Sequence, residues 1–256
     1  MSLHMIQMSP DMGSVVRWAH AQGLLARRGS DDFGYAWHAI LTAAFGEKAP
    51  RPFHLVERPG RPAQILAYSQ SAASVMQEHA ALYADPAVVD ALALPDIVSK
   101  PMPAEFDAGA RFGFALRVRP VIRITTDGKI RERDAYLAAL AQVKDGETLD
   151  RGSVYTAWLA KKLAAGGATL VHATIARSQI NRVVRRDRSE SVSKLHALMG
   201  PDVTFNGDLV VQDPYAFRSL LARGVGRHRS FGFGMVLLRP AGQAPQAQPA
   251  GRDGSQ

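Results

Sequence analysis

Twice along this chain the hydrophobic pattern runs strand, helix, strand, strand, helix, strand, and that repetition limits the folds open to it. In the first half, residues 3–8 read as an opening strand and 14–28 as a helix weakened by Gly23. The run Gly29-Ser30-Asp31-Asp32 stops that helix and caps a second one over 33–45, which Gly46 ends. Two β-rich runs, 51–57 and 64–69, flank the turn signal around Pro59-Gly60. A helical segment at 71–83 follows, and the run over 88–94 finishes the half. Residues 97–110, with Pro101, Pro103 and Gly109, read as a linker.

The second half opens on a clear alternation over 111–124. Phe112, Phe114, Leu116 and Val118 share one face, and Arg111, Arg117 and Arg119 the other. A charged, partly helical stretch fills 127–150, and an amphipathic helix over 153–165 stops at Gly166-Gly167. A strand begins at Thr169, and residues 203–211 read as two strands hinged on Asn206-Gly207. A helix over 215–223 and a closing strand over 231–238 follow. Residues 241–256 are low in complexity and read as a disordered tail. The pattern predicts an α+β protein of two tandem ferredoxin-like domains (βαββαβ, RRM-like), over 1–96 and 111–240. Such a fold hosts many functions, so the activity must come from particular residues.

Composition narrows the field. Hydrophobic residues make up 46% of the chain, enough for packed cores. Lys and Arg outnumber Asp and Glu by 31 to 23, and a surplus of +8 favours polyanionic partners such as nucleic acid. With no cysteine, disulfides, thiolate nucleophiles and Cys-held zinc are excluded, and a reducing cytoplasm is the expected setting. No signal peptide is read at the N-terminus, and no apolar run reaches membrane-spanning length, so no membrane partner is expected.

Three segments carry chemistry. In the second helix Phe33, Trp37, Ile40, Leu41 and Ala44 form one apolar stripe, while Tyr35 and His38, three apart, neighbour each other on its flank. A His beside an apolar face is more often a plain core or surface residue; its pairing with Tyr35 makes a proton-transfer site the sharper alternative. The run from Arg223 to Gly234 mixes Gly224, Gly226, Gly232 and Gly234 with Arg227, His228 and Arg229. It is either a plain glycine-rich connection or a phosphate cradle with an anion nest. The run from Arg177 to Arg188 holds five arginines, a solvated charged face or a surface for an RNA backbone. No metal-binding His-Glu-x-x-His, no carboxylate cluster and no Gly-x-Ser-x-Gly elbow occurs, so no cofactor is expected. An RNA-cutting protein built from these residues would use the substrate's own 2′-hydroxyl, with His, Tyr and Arg supplying protons and charge.

Several stretches together resemble one family. Asp32-Phe33-Gly34-Tyr35-Ala36-Trp37-His38 is followed by Phe53-His54-Leu55-Val56-Glu57 and by a strand ending in Gln70-Ser71. Then come Phe112-Gly113-Phe114-Ala115-Leu116-Arg117-Val118-Arg119-Pro120 and the loop from Arg223 to Met235. In this order they resemble the CasE family of type I-E CRISPR systems. Arg119-Pro120 lacks the Ala-Asn that the family's strand carries between arginine and proline.

The resemblance implies tandem ferredoxin-like domains that bind the stem-loop of CRISPR repeat RNA. It implies metal-independent cutting at the 3′ base of the stem, a 2′,3′-cyclic phosphate product, and retention in the Cascade surveillance complex with its other subunits. On it, His38 transfers the proton and Tyr35 positions or assists. Arg177, Arg182, Arg185 and Arg186 are candidates for stem phosphates, and Gly224, Gly226, Arg227 and Arg229 for the loop groove. Arg117 and Arg119 are further RNA-binding candidates. The rival from another class is a non-cleaving RNA-binding subunit, which would need neither Tyr35 nor His38. A small-molecule enzyme is more remote, since an acidic metabolite needs fewer cations than two patches supply.

Overall fold

The computed structural model describes residues 2–25, 33–126, 128–144, 147–186 and 195–242. Its first unit contains β1 (His4–Met8), α1 (Met12–Ala21), α2 (Gly34–Phe45), β2 (Phe53–Arg58), β3 (Arg61–Ser69), α3 (Ala73–Tyr83), α4 (Pro86–Leu92) and β4 (Val98–Pro101). The sheet order is β2-β3-β1-β4, with every neighbouring pair antiparallel. Capping follows the sequence locally. The Asp11 carboxylate accepts from the Ser14 amide at 2.6 Å to open α1, and Asp85 accepts from the Ala87 amide ahead of Pro86 in α4. Gly46, at φ 57°, ends α2.

The second unit contains β5 (Arg111–Val118), β6 (Val121–Thr126), β7 (Lys129–Asp134), α5 (Ala135–Leu140), α6 (Arg151–Ala164), β8 (Ala168–Arg186), β9 (Leu195–Val211), α7 (Pro214–Arg223) and β10 (Leu237–Pro240). Its sheet order, β10-β5-β9-β8, repeats the first: the opening strand lies centrally between the last strand and the third. The expected tandem ferredoxin-like fold is therefore present, with the β6–β7 hairpin added after the first strand. One apolar core lies under each sheet, and Leu3 and Tyr68 of the first unit belong to the second unit's core. The buried Tyr68 hydroxyl donates to the Val236 carbonyl at 3.0 Å, pinning the two units together.

Several local expectations are corrected. The alternation over 111–124 is not one strand: β5 stops at Val118, and Pro120 turns the chain into β6, its carbonyl accepting from the Ala135 amide. Asn206-Gly207 is not a turn, because β9 runs straight through it. Gly207 is required there by close approach: a Cβ would collide with the His172 carbonyl oxygen, opposite a register shift in β8. The closing strand is only β10, since Gly232 and Gly234 at φ 84° and 83° hold the residues before it in a loop.

The stretch 97–110 opens with β4, which pairs with β1, so the connection between the units begins after Pro101. The first helix stops at Ala21 rather than near Arg28, with Gly23 at φ 65° beyond it. The cap expected at Asp31-Asp32 and the tail over 243–256 lie outside the described residues. No helix among the described residues is long and apolar enough to cross a membrane.

Candidate functional site

Helix α2 buries Ala36, Trp37, Ile40, Leu41 and Ala44 and leaves Tyr35 and His38 half-buried on its flank, as the periodicity predicts. Their ring centroids are 6.4 Å apart. Facing them is the 3-10 turn Arg229–Phe231 of the second unit. Phe231 stacks on Tyr35 at 6.3 Å and tilts against His38 at 5.2 Å. The pair therefore sits where the two units meet.

The glycine-rich loop sets that turn. Its ends are tied by hydrogen bonds from the Val225 amide to the Gly234 carbonyl at 2.8 Å and from the Gly234 amide to the Arg117 carbonyl at 2.7 Å. Gly224 has φ 75° and packs so closely on Pro52 that a Cβ would lie 2.9 Å from its ring; Gly226 lies against Trp158. Gly224 serves close packing between the units, and Gly226 close packing within the second. The amides of Gly224, Val225 and Gly234 are engaged internally, which removes them from any anion nest.

His38 opens on a cleft of about 490 Å³, whose walls include Thr42, Arg51, Phe53 and Ser230. It continues into a groove of about 1040 Å³ bordered by Arg51, Arg123, Arg223, Arg227, Arg229 and Phe231. Burial, and then the charges of Arg223, Arg51 and Arg227, lower the pKa of Arg229, although a guanidinium stays charged. Crowded cations of this kind are relieved by a bound polyanion, so the groove suits a phosphate chain. Arg51 and Arg223 were not among the candidates from sequence. Each lies beside a proline or glycine in a segment already singled out, but their convergence exists only in three dimensions.

Two acids, Glu47 and Glu132, also border this groove. The Glu132 carboxylate lies 2.7 Å from His228 Nε2 and also pairs with Arg227. The hydrogen bond to His228 holds the Glu132 carboxyl down to about 2, with help from the His228 and Arg227 charges and against the effect of burial. Arg227, expected in the loop groove, thus lines it with an acid already beside it.

The remaining candidates divide. Arg117 makes a bidentate pair with Asp202 at 2.9 and 2.6 Å and stacks over Phe233 at 4.4 Å, and Arg119 is only 2% exposed. The Arg117 guanidinium is engaged by Asp202 and Phe233 and Arg119 is buried, so both hold the base of the second sheet. Alternation put them on a polar face, but the loop carrying Phe233 covers that face. Arg177 is exposed on β8, donating to Gln179 at 2.9 Å.

β5 pairs only with residues 203–210 of β9, so 179–186 and 195–202 continue beyond it as a two-stranded ribbon. The backbone of Arg182, Arg185 and Arg186 lies in that ribbon; their side chains fall outside the described residues. Helix α2 packs against both β8 and the Phe231 turn, which brings the arginine-bearing strand alongside the helix of His38.

The model of the family described as CRISPR associated protein matches residues 7–240. The chain belongs to that family. The CRISPR-associated endoribonuclease Cse3 of Thermus thermophilus is 29% identical over 147 residues, 55% of this chain. That match spans 61% of the relative's own length. Among solved structures, Cse3 bound to a 19-nucleotide RNA superposes with a TM-score of 0.62 at 22% identity, covering 94% of this chain and all of that one. Cas6e from Escherichia coli gives a TM-score of 0.50 at 19% identity, covering 94% of this chain and 100% of that one. The resemblance to CasE read from the sequence is thereby borne out, and the two structures share this chain's fold.

Proposed function

We propose that this protein is an endoribonuclease that binds the stem-loop of CRISPR repeat RNA and cuts at the 3′ base of the stem. The observation that carries the reading is the Tyr35–His38 pair, with His38 on a cleft that shares Arg51 with the adjoining groove of Arg223, Arg227 and Arg229. A binding subunit would need the arginines but not the pair. A relative named as an endoribonuclease, and a similar structure of Thermus thermophilus Cse3 with an RNA representing a pre-cleavage complex, support the same activity.

The chemistry is an in-line transfer within the RNA. The 2′-oxygen at the cut attacks the neighbouring phosphorus and gives up its proton, with His38 as the proton-transfer group and Tyr35 positioning or assisting it. The bond from phosphorus to the 5′-oxygen breaks, and that oxygen takes up a proton. The products are a 2′,3′-cyclic phosphate and a 5′-hydroxyl. The arginines of the cleft stabilise the charge on the phosphorane. The proposed reaction is metal-independent, because the substrate's own 2′-hydroxyl is the nucleophile and side chains move the protons. Arg177 on β8, with Arg182, Arg185 and Arg186 on the β8–β9 ribbon beyond it, binds the stem phosphates in this reading. The product stays bound as part of a Cascade complex with its other subunits, in the cytoplasm.

The test is incubation with repeat RNA in EDTA, comparing wild type with His38→Ala. The reading expects one cut at the base of the stem, lost in the variant, with hairpin affinity nearly unchanged. Tight binding without cutting by the wild type would favour the non-cleaving subunit. Cutting by His38→Ala at the wild-type rate would remove the proposed mechanism.

A further inference from the structure

The β6–β7 hairpin is an addition to the ferredoxin-like pattern, and its Glu132 reaches the glycine-rich loop from 96 residues away in sequence. The carboxylate binds two consecutive loop residues, one oxygen on Arg227 and the other on His228. The His228 side chain is 9% exposed, so this hydrogen bond is shielded from water. His228 stands at φ 60° and ψ 30°, a left-handed conformation that is uncommon for a residue with a Cβ and that contacts to its side chain help to hold. Its carbonyl accepts from the Phe231 amide at 2.9 Å, which closes the turn. That turn carries Phe231 onto Tyr35 and His38.

We propose that Glu132 is a positioning residue for RNA cleavage: by holding His228 it fixes the turn that sets Phe231 against Tyr35 and His38. The inference rests on the cleavage reading above. It gives the inserted hairpin a role, and it accounts for Glu132 among the arginines of the groove. An anion there repels RNA, so a residue that acted only through its charge would be removed with a gain in affinity and no loss of rate. A residue that orders the turn would be removed with a loss of rate at saturating protein.

The experiment measures single-turnover cleavage of repeat hairpin RNA, hairpin affinity, and amide hydrogen exchange over residues 224–234 of the free protein. The variants are Glu132→Ala, Glu132→Gln, His228→Ala and the double alanine variant. Glu132→Ala should cut roughly tenfold or more slowly at saturating protein, the scale on which small misplacements act, with affinity unchanged or tighter. Glu132→Gln should recover most of the rate, because the amide oxygen still accepts from His228. The double variant should be no slower than the slower single one, and exchange in the loop should rise in both alanine variants.

Wild-type cleavage rates in Glu132→Ala would overturn the proposal, as would a Gln variant as slow as the Ala variant. Unchanged loop exchange in Glu132→Ala would overturn it without reference to activity. If the wild type failed to cut repeat RNA, the cleavage reading would fall first and take the positioning role with it, whatever the exchange data showed.

Discussion

The ring of Phe231 lies 5.2 Å from the ring of His38, although the two belong to different ferredoxin-like units. The helix that carries His38 is complete within the first unit, but the wall against its imidazole comes from the last loop of the second. An apolar ring in that place takes no part in proton transfer. It restricts the rotamers of His38 and Tyr35 and keeps water from one side of them. Phe231→Ala should therefore slow single-turnover cleavage by about tenfold, less than His38→Ala does, and leave hairpin affinity within about twofold. Phe231→Leu should fall between the variant and the wild type. A Phe231→Ala protein as slow as His38→Ala would mean that the ring does more than pack.

Arg51 distinguishes rate from affinity in a different way. It lines both the cleft of His38 and the wider groove, and its charge contributes to the crowding on Arg229. A guanidinium in that place can meet the phosphorane as charge develops. Arg51→Ala should lower the cleavage rate at saturating protein by roughly a hundredfold, with a smaller change in affinity. A loss confined to affinity would assign Arg51 to ground-state phosphate binding instead.

What the sequence made legible follows the range of the signals in it. The Tyr35–His38 flank was readable because one helix of period 3.6 decides it, and the repeated strand–helix order was readable for the same local reason. Asn206-Gly207 misled because a strong turn dipeptide was in fact a glycine demanded by the His172 carbonyl of the neighbouring strand. For Arg117 and Arg119, alternation assigns a face but not what packs on it, and here Phe233 and Asp202 do. Glu132 lay in a stretch without clear periodicity, and its meaning depends on a partner in a distant loop.

The same contrast separates two sets of arginines by experiment. Each RNA phosphate neutralised releases condensed counterions, so ribbon arginines should set the salt dependence of binding. Arg185→Ala with Arg186→Ala should weaken hairpin binding and flatten its log–log salt slope by roughly one to two units. Arg117→Ala should leave that slope unchanged and act on stability. Burial alone would raise the Asp202 carboxyl, but Arg117, Gln179 and Asn181 together hold it below the usual carboxylate range. Removing Arg117 strands that buried charge and should cost about 3 kcal/mol in chemical denaturation. A flattened slope in Arg117→Ala would return it to the RNA surface.

His54 gives the fold a pH dependence of its own. It sits in β2, is 5% exposed, and burial followed by the nearby Arg117 charge pushes its imidazole down from 6.5 to about 4. The folded protein therefore binds the proton less readily than the unfolded chain. The stability this gives is present above pH 6.5 and is lost as the pH falls toward 4. The loss across that window should approach about 3 kcal/mol. His54→Gln, which cannot titrate, should remove most of that slope from unfolding curves measured at successive pH values. It should leave the rate of cleavage unchanged near pH 8, where His54 is neutral in both states. An unchanged stability slope in His54→Gln would mean that other groups carry the acid sensitivity. A fall in cleavage between pH 7 and 6.5 that persists in the variant would then belong to the reaction and not to unfolding.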